Sequence, residues 1–502
     1  MSKRVIVIGA GVSGLSAAVY AARSGFDVTI LEQHTTFGGL STGWSRKGYF
    51  FEGGMHWLTG SSPKLALNQV WKDIGALQDN NPIENRDPYY SVILKDGKTI
   101  NLWRDIEKTR QELLAYSLED KKMINRFCKD LKIFTKVHLP VNDLKGLKAK
   151  TPMHPKFSEL IQMLPAGLRA LKLCKMSYME YVSQFKNKNL QSLLKSICGY
   201  RYNATAFIYT LGSFSSGDCG FPAGGSIRFC KNMADTFEKL GGKILYKTKV
   251  EKVVVENGLT KGVQTKEGFL EADAVVVSQD LRQAVDSLFD VPITSKCIQE
   301  LKENLVPEQS MFISLGIKAD LSKYPYCCIF PLEKPFTYAG REYTEIRIFN
   351  YGGYKYHAPE GCSSITSILI GDSYNFWKEA KEKGDYKAKK EELAKIFTEK
   401  LQELMPETKD NIEVVDVATP LTFERYCSSY QGSWMSVWQK NSPKVSYPQK
   451  LPEIKGTYFV GQRISMPGGL PLAAYSGRTA IQHLCRDTDT EFIWKLKNCV
   501  II

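Results

Sequence analysis

Patterned cysteine is the first thing this chain lacks. Its 12 cysteines include no Cys-x-x-Cys and one adjacent pair, Cys327–Cys328. That excludes a zinc ribbon, a ferredoxin-type cluster, a disulfide scaffold and a disulfide relay, and it fits a reduced, cytosolic compartment. The six histidines, at 34, 56, 138, 154, 357 and 483, have no ligand spacing, so no metal site is expected. No serine nucleophile elbow is present. Long apolar runs are scarce as well. The longest uncharged stretch, Val5–Ala22, has 18 residues, just enough for a membrane span and placed like a signal peptide.

What that stretch contains argues against both. A β-branched run, Val5-Ile6-Val7-Ile8, leads into Gly9-Ala10-Gly11-Val12-Ser13-Gly14, and three glycines so close would each weaken a membrane helix by about 1 kcal/mol. The same residues suit a buried parallel strand, a tight turn and a helix. Gly9 makes the turn, Gly11 lets a pyrophosphate approach the backbone above the helix N-terminus at Val12 and Ser13, and Gly14 lets the helix pack on the sheet. An alanine-rich helix runs to Gly25, and a second strand, Asp27–Leu31, ends at Glu32, an acceptor for ribose hydroxyls that disfavours a 2′-phosphate. A further glycine pair follows in Gly38-Gly39-Leu40-Ser41, and then Phe51-Glu52-Gly53-Gly54-Met55-His56-Trp57. A second close approach of the chain suits the longer FAD better than NAD. No other Gly-x-Gly-x-x-Gly occurs, so no separate NADPH domain is expected.

With these segments the sequence resembles the two-dinucleotide-fold flavoproteins that include amine oxidases and phytoene desaturases. It is most similar to the branch of carotenoid desaturases, carotenoid cis–trans isomerases and retinol saturases. Three more stretches carry the resemblance. One runs from Phe221-Pro222-Ala223-Gly224-Gly225 through Val250, which by resemblance packs on adenine, to Ala274-Val275-Val276-Val277-Ser278. Another, Ala418–Tyr426, precedes Gly456–Arg463, with Gly461 and Gln462. The last is Pro467-Gly468-Gly469-Leu470-Pro471, which resembles the turn that closes over the flavin and starts a helix pointing at it. Departures are the absence of an arginine after Gly39, which favours the desaturase side, Gln462 where many members have an acid, and Gly432-Ser433-Trp434-Met435 in place of a second glycine-rich step.

The resemblance implies an α/β fold: a discontinuous Rossmann-like FAD domain over 1–75, 221–300 and 412–490, and an inserted α+β substrate domain over 76–220 and 301–411. FAD is the implied cofactor, and a double bond of a lipophilic polyene or isoprenoid the implied substrate. A redox-neutral isomerase using reduced FAD, an amine-oxidising flavoenzyme and a flavin-free carrier of prenylated proteins are the alternatives. His56, beside the implied flavin face, is a candidate proton donor, with holding the flavin as its other reading.

Between the motifs, alternating runs at Ser310–Ile317, Cys327–Pro331, Thr344–Phe349 and Ser364–Ile370 predict a mixed sheet roofing the flavin, and 378–404 reads as one charged helix. The net charge is +14, and the window 140–195 supplies half of it, with ten basic residues against three acids, interleaved with leucines and methionines. This suits a helix on the inner, anionic face of a membrane, although an ordinary helical cap with a basic rim has the same composition. No aromatic–basic platform points to nucleic acid. The last four residues, Cys499-Val500-Ile501-Ile502, only loosely fit a prenylation motif.

Overall fold

The computed structural model describes residues 2–290, 293, 295–442, 446–465 and 468–495. Pro467 and the tetrapeptide 499–502 lie outside these residues. The strand Arg4–Ile8 is buried on both faces beyond its first residue because it is central in a parallel sheet of five strands. Asp27–Leu31 and then Lys243–Leu245 lie to one side of it, Ala274–Val277 and then Thr457–Phe459 to the other. Strands from three distant parts of the chain therefore build one dinucleotide-type sheet.

The helices that cover this sheet join the chain's two ends. Val12–Arg23 follows the opening strand, and Gly469–Asp487 closes the fold. They cross at Gly477, where an added Cβ would lie 2.7 Å from the Ala17 nitrogen and 2.8 Å from the Ser13 carbonyl oxygen. Such backbone-to-backbone contact leaves room only for glycine. Beside the crossing, Arg478 pairs with Asp143 through two 2.8 Å bonds, both side chains fully buried. This pins the stretch after residue 140 to the closing helix.

The four runs expected as strands form Ser310–Ile317, Cys327–Tyr338, Arg341–Asn350 and Ser363–Ile370 of a mixed seven-stranded sheet. Tyr90–Ile93 and Thr99–Leu102 extend one edge, and Ile412–Ala418 forms the other by pairing with Ser310–Ile317. The chain thus passes between the two sheets after residue 418. A separate three-stranded antiparallel sheet, Val250–Glu256, Leu259–Thr265 and Gly268–Glu271, packs on the five-stranded one, Val253 and Val263 sharing a core with Ile6 and Val275. The charged segment expected as one helix is two, Tyr374–Glu382 and Tyr386–Leu404, because Gly384 takes φ +81° and ends the first. Helices from Ile106 to Ser215 cap the seven-stranded sheet, and among them Phe157–Leu173 stands out as barely covered.

Candidate active site

One cavity of about 1600 Å³ runs between the two main sheets. At one end are Gly9, Gly11, Val12, Ser13, Glu32 and Val250; further along come Gly38, Gly39, Leu40, Ser41, Gly54 and His56, then Gly461, Gln462, Gly469, Leu470 and Pro471. All the residues expected to meet the cofactor therefore line this space except two. Gly14 does not reach it: a Cβ there would lie 2.1 Å from the Gly9 carbonyl oxygen, so its role is packing of helix on turn. Met55 does not either. Its side chain is buried in the core, and its backbone N–H donates to Glu52 Oε1 and Ser226 Oγ.

The glycines separate into two kinds. Gly9 has φ +95° and Ser278 Oγ 2.8 Å from where a Cβ would stand, so the protein's own packing requires it. At Gly11 the nearest atom to an added Cβ is Gly39 Cα at 3.9 Å, so the protein alone would tolerate a side chain. The free space there lies over the first turn of Val12–Arg23, whose N–H groups lack intrahelical partners and suit a pyrophosphate. Glu32 is oriented by the Ala10 N–H at 2.7 Å to one carboxylate oxygen and the His34 N–H at 2.9 Å to the other. Each oxygen keeps a lone pair for a ribose hydroxyl.

Towards the closing helix, Gly461 has φ +142° with nothing within 4 Å of an added Cβ, and its N–H donates to Ser476 Oγ at 2.9 Å. Gln462 is fully engaged: its amide nitrogen donates to the Trp434 carbonyl at 2.5 Å, and its carbonyl accepts the Gly469 N–H at 3.2 Å. The neutral amide thus ties the Ser433–Trp434 step to the start of the closing helix, a link that needs a donor and an acceptor together. A carboxylate at this position would supply only the acceptor.

His56 stacks on Phe349, ring centroids 3.9 Å apart and 10° from parallel. Its Nδ1 lies 3.2 Å from Tyr351 Oη, and its Nε2 is buried without a partner. Burial, then the positive charges of Arg347 and Arg86, hold the imidazole well below the usual histidine range, so it is neutral. Arg86 and Tyr326 hold the His56 carbonyl at 3.2 and 3.4 Å. The ring is fixed as part of the wall, which suits positioning better than delivery of a proton.

Three charged residues escaped notice in the sequence. Glu52, wholly buried, accepts the N–H groups of Gly54, Met55 and Ser226 and so shapes the turn before His56; burial still pushes its carboxyl up. Arg347 lines the cavity on the strand Arg341–Asn350, two residues from Phe349 and therefore on the same face. A cation sharing a strand face with an aromatic was the signal for it. Glu308 is wholly buried behind Gly199, a cavity-lining residue whose added Cβ would lie 2.2 Å from Glu308 Oε2. Neither of its oxygens has a hydrogen-bond partner, and burial pushes its carboxyl up to about 7.

Beyond the glycine-lined end the cavity is walled by Phe134, Leu160, Met163, Leu164, Ala170 and Tyr209. A dinucleotide cradle that opens into a long apolar arm defines a flavoprotein with a lipophilic substrate channel. The free space over Gly11, the oriented Glu32 and the glycines Gly461 and Gly469 fit FAD. Comparison then gives the family: the one described as flavin containing amine oxidoreductase matches residues 12–485, and the chain belongs to it. FAD is its cofactor. Among curated relatives, prolycopene isomerase 1 of an Oncidium hybrid cultivar is 26% identical, over 97% of this chain and 84% of its own. All-trans-retinol 13,14-reductase of Danio rerio is 24% identical over 92% and 83%, and 1-hydroxycarotenoid 3,4-desaturase of a Flavobacterium 23% over 95% and 98%. Among solved structures, an oxidoreductase from Methanosarcina mazei has the same fold with a TM-score of 0.62 at 16% identity, covering 95% of this chain and all of that one.

Proposed function

We propose that this protein is an FAD-dependent oxidoreductase acting on a double bond of a lipophilic polyene or isoprenoid that it takes from a membrane surface. One observation carries the reading: the cavity lined by the dinucleotide loop is also lined by Leu160, Met163 and Leu164 of a helix whose outer side is bare. On Phe157–Leu173, Phe157, Leu160, Ile161, Leu164, Leu168 and Leu171 are 46–78% exposed. Ala166 and Leu173 anchor it, with Arg169 bonded to both oxygens of Asp130 at 2.7 Å. Among the described residues no helix is long and apolar enough to cross a membrane. An exposed apolar helix flanked by Lys156, Lys172 and Lys175 suits one lying in an anionic interface, with a substrate passing from lipid into the arm. The protein would then act at the cytoplasmic face of that membrane.

Bound FAD supplies hydride exchange at a flavin ring nitrogen. The chain's own part is to hold a polyene carbon against that ring and to exclude water, the work of apolar walls and of a fixed His56–Phe349 stack. The names of the relatives support the substrate class, and they span saturation, desaturation and isomerisation. The prolycopene isomerases favour a second reading, redox-neutral isomerisation at reduced FAD. The test is mass spectrometry of lipids retained by the yellow, FAD-loaded protein, followed by anaerobic turnover of the lipid found. A polyene consumed together with an electron acceptor supports the oxidoreductase, and turnover with no acceptor consumed supports the isomerase. A colourless protein that cannot be reconstituted with FAD overturns both.

A further inference from the structure

Arg347 is an anomaly in an apolar channel. It is 7% exposed, and among the described residues no carboxylate comes within ion-pair distance of it. Its Nη1 donates to the carbonyls of Ser196 and, at 3.3 Å, Ile197, where the helix Lys188–Lys195 ends. Its Nε has no partner, and no hydrogen bond from Nη2 is made to any described residue. Neither Glu345 nor Glu308 pairs with it. Glu345 accepts from Ser196 Oγ and Thr344 Oγ1, and Glu308 faces Arg201 at 3.9 Å. Phe349 offers its ring at 5.0 Å from the guanidinium carbon, and His56 beyond it is neutral.

A buried guanidinium without a counter-charge is costly, and a hydrocarbon ligand would leave it so. Its planar fork of donors matches a carboxylate or carbonyl oxygen, and the carboxylate would also cancel the charge. We infer that Arg347 is a substrate-recognition residue that binds an acceptor oxygen on the substrate, so that the preferred ligand is an oxygenated polyene, best one bearing a carboxylate, rather than a hydrocarbon. This rests on the polyene reading above and narrows it.

The experiment compares two C20 polyenes of equal length, all-trans-retinoic acid and its hydrocarbon analogue in which a methyl replaces the carboxylate. Binding to the FAD-loaded protein is followed through quenching of tryptophan fluorescence, since Trp434 and Trp438 line the cavity. The wild-type protein is expected to favour the acid by about tenfold or more, as a charged hydrogen bond to a buried partner would give. Arg347→Met should abolish that preference while keeping its FAD content and flavin absorption spectrum, and Arg347→Lys should keep part of it. Equal binding of both polyenes by wild type overturns the inference and leaves the polyene reading standing. Loss of FAD from Arg347→Met would assign the guanidinium to the flavin and also overturn it. Binding of neither polyene would remove the polyene reading and the inference together.

Discussion

His56 sits where a proton donor is wanted, yet its ring is neutral and stacked on Phe349, with Nδ1 engaged by Tyr351 and Nε2 buried without a partner. A general acid contributes on the order of a hundredfold to ten-thousandfold, whereas a wall residue replaced by one of similar length costs far less. His56→Gln should therefore keep FAD and slow turnover by less than about tenfold, with an unchanged pH–rate profile. A hundredfold loss, or the disappearance of a limb near neutral pH, would restore the donor. Glu308 gives the opposite case, a carboxyl raised from 4.5 to about 7 with no donor to steady its charge. Arg201 and Arg341 favour its charged form, while Asp372 opposes it; none offsets burial. Because the folded protein holds this proton more tightly than the unfolded chain, the stability it confers is complete below about pH 4.5. That stability is lost as pH rises through about 7, on the order of 3 kcal/mol in all. Thermal unfolding of Glu308→Gln from pH 5 to 8 should lack that downward slope; parallel curves for variant and wild type would refute it.

The helix Phe157–Leu173 shows how far composition reaches and where it stops. Basic residues mixed with leucines fit a membrane-facing helix and a solvated cap equally well, because the sequence does not say which side of a helix its neighbours cover. In the fold one side of this helix is bare, which supports the membrane-facing reading proposed above. Leu168 and Leu171, 60% and 63% exposed, take no part in the cavity wall. Burying each in lipid is worth about 1.5–3 kcal/mol. A Leu168→Glu, Leu171→Glu double variant should keep its melting temperature and lose on the order of a hundredfold in affinity for vesicles of phosphatidylcholine and phosphatidylserine. Undiminished co-sedimentation with those vesicles would exclude this helix as the anchor. The long charged helix expected over 378–404 was misread for a related reason: lysines and glutamates continue on both sides of Gly384-Asp385, the pair that ends one helix and caps the next.

For the molecule as a whole, the two chain ends were the legible part, because dinucleotide binding demands glycines where backbone must approach ligand, and such demands leave local marks such as Gly9, Gly11 and Gly461. The four strands of the second sheet were legible too, since each alternates in sequence. Illegible were Glu308 and the Asp143–Arg478 pair, whose meaning depends on partners 100 or more residues away or on the lack of any, while Arg347 was marked only by the strand face it shares with Phe349. Since its reason to be small lies in the opening helix, Gly477, which follows the glycine-rich turn inside the closing helix, is likewise placed by a distant contact. Alanine there would press on the backbone of the opening helix, so neither side can yield by rotating a side chain, and overpacking of this kind costs about 1–3 kcal/mol. Since the N-termini of both helices line the cofactor end of the cavity, their separation should be felt by FAD. Asp143→Asn is the matched control, expected to lose on the order of 2 kcal/mol by leaving the buried Arg478 with Asp73, at 3.5 Å, as its remaining carboxylate, without moving the two helices apart. Thermal unfolding should fall for both variants, while FAD affinity measured by flavin fluorescence on dilution should weaken for Gly477→Ala alone. Were Gly477→Ala to bind FAD as tightly as wild type, the crossing would be packing and nothing more, and the convergence of the two chain ends on the cofactor would have to rest on Gly461, Gln462 and Gly469.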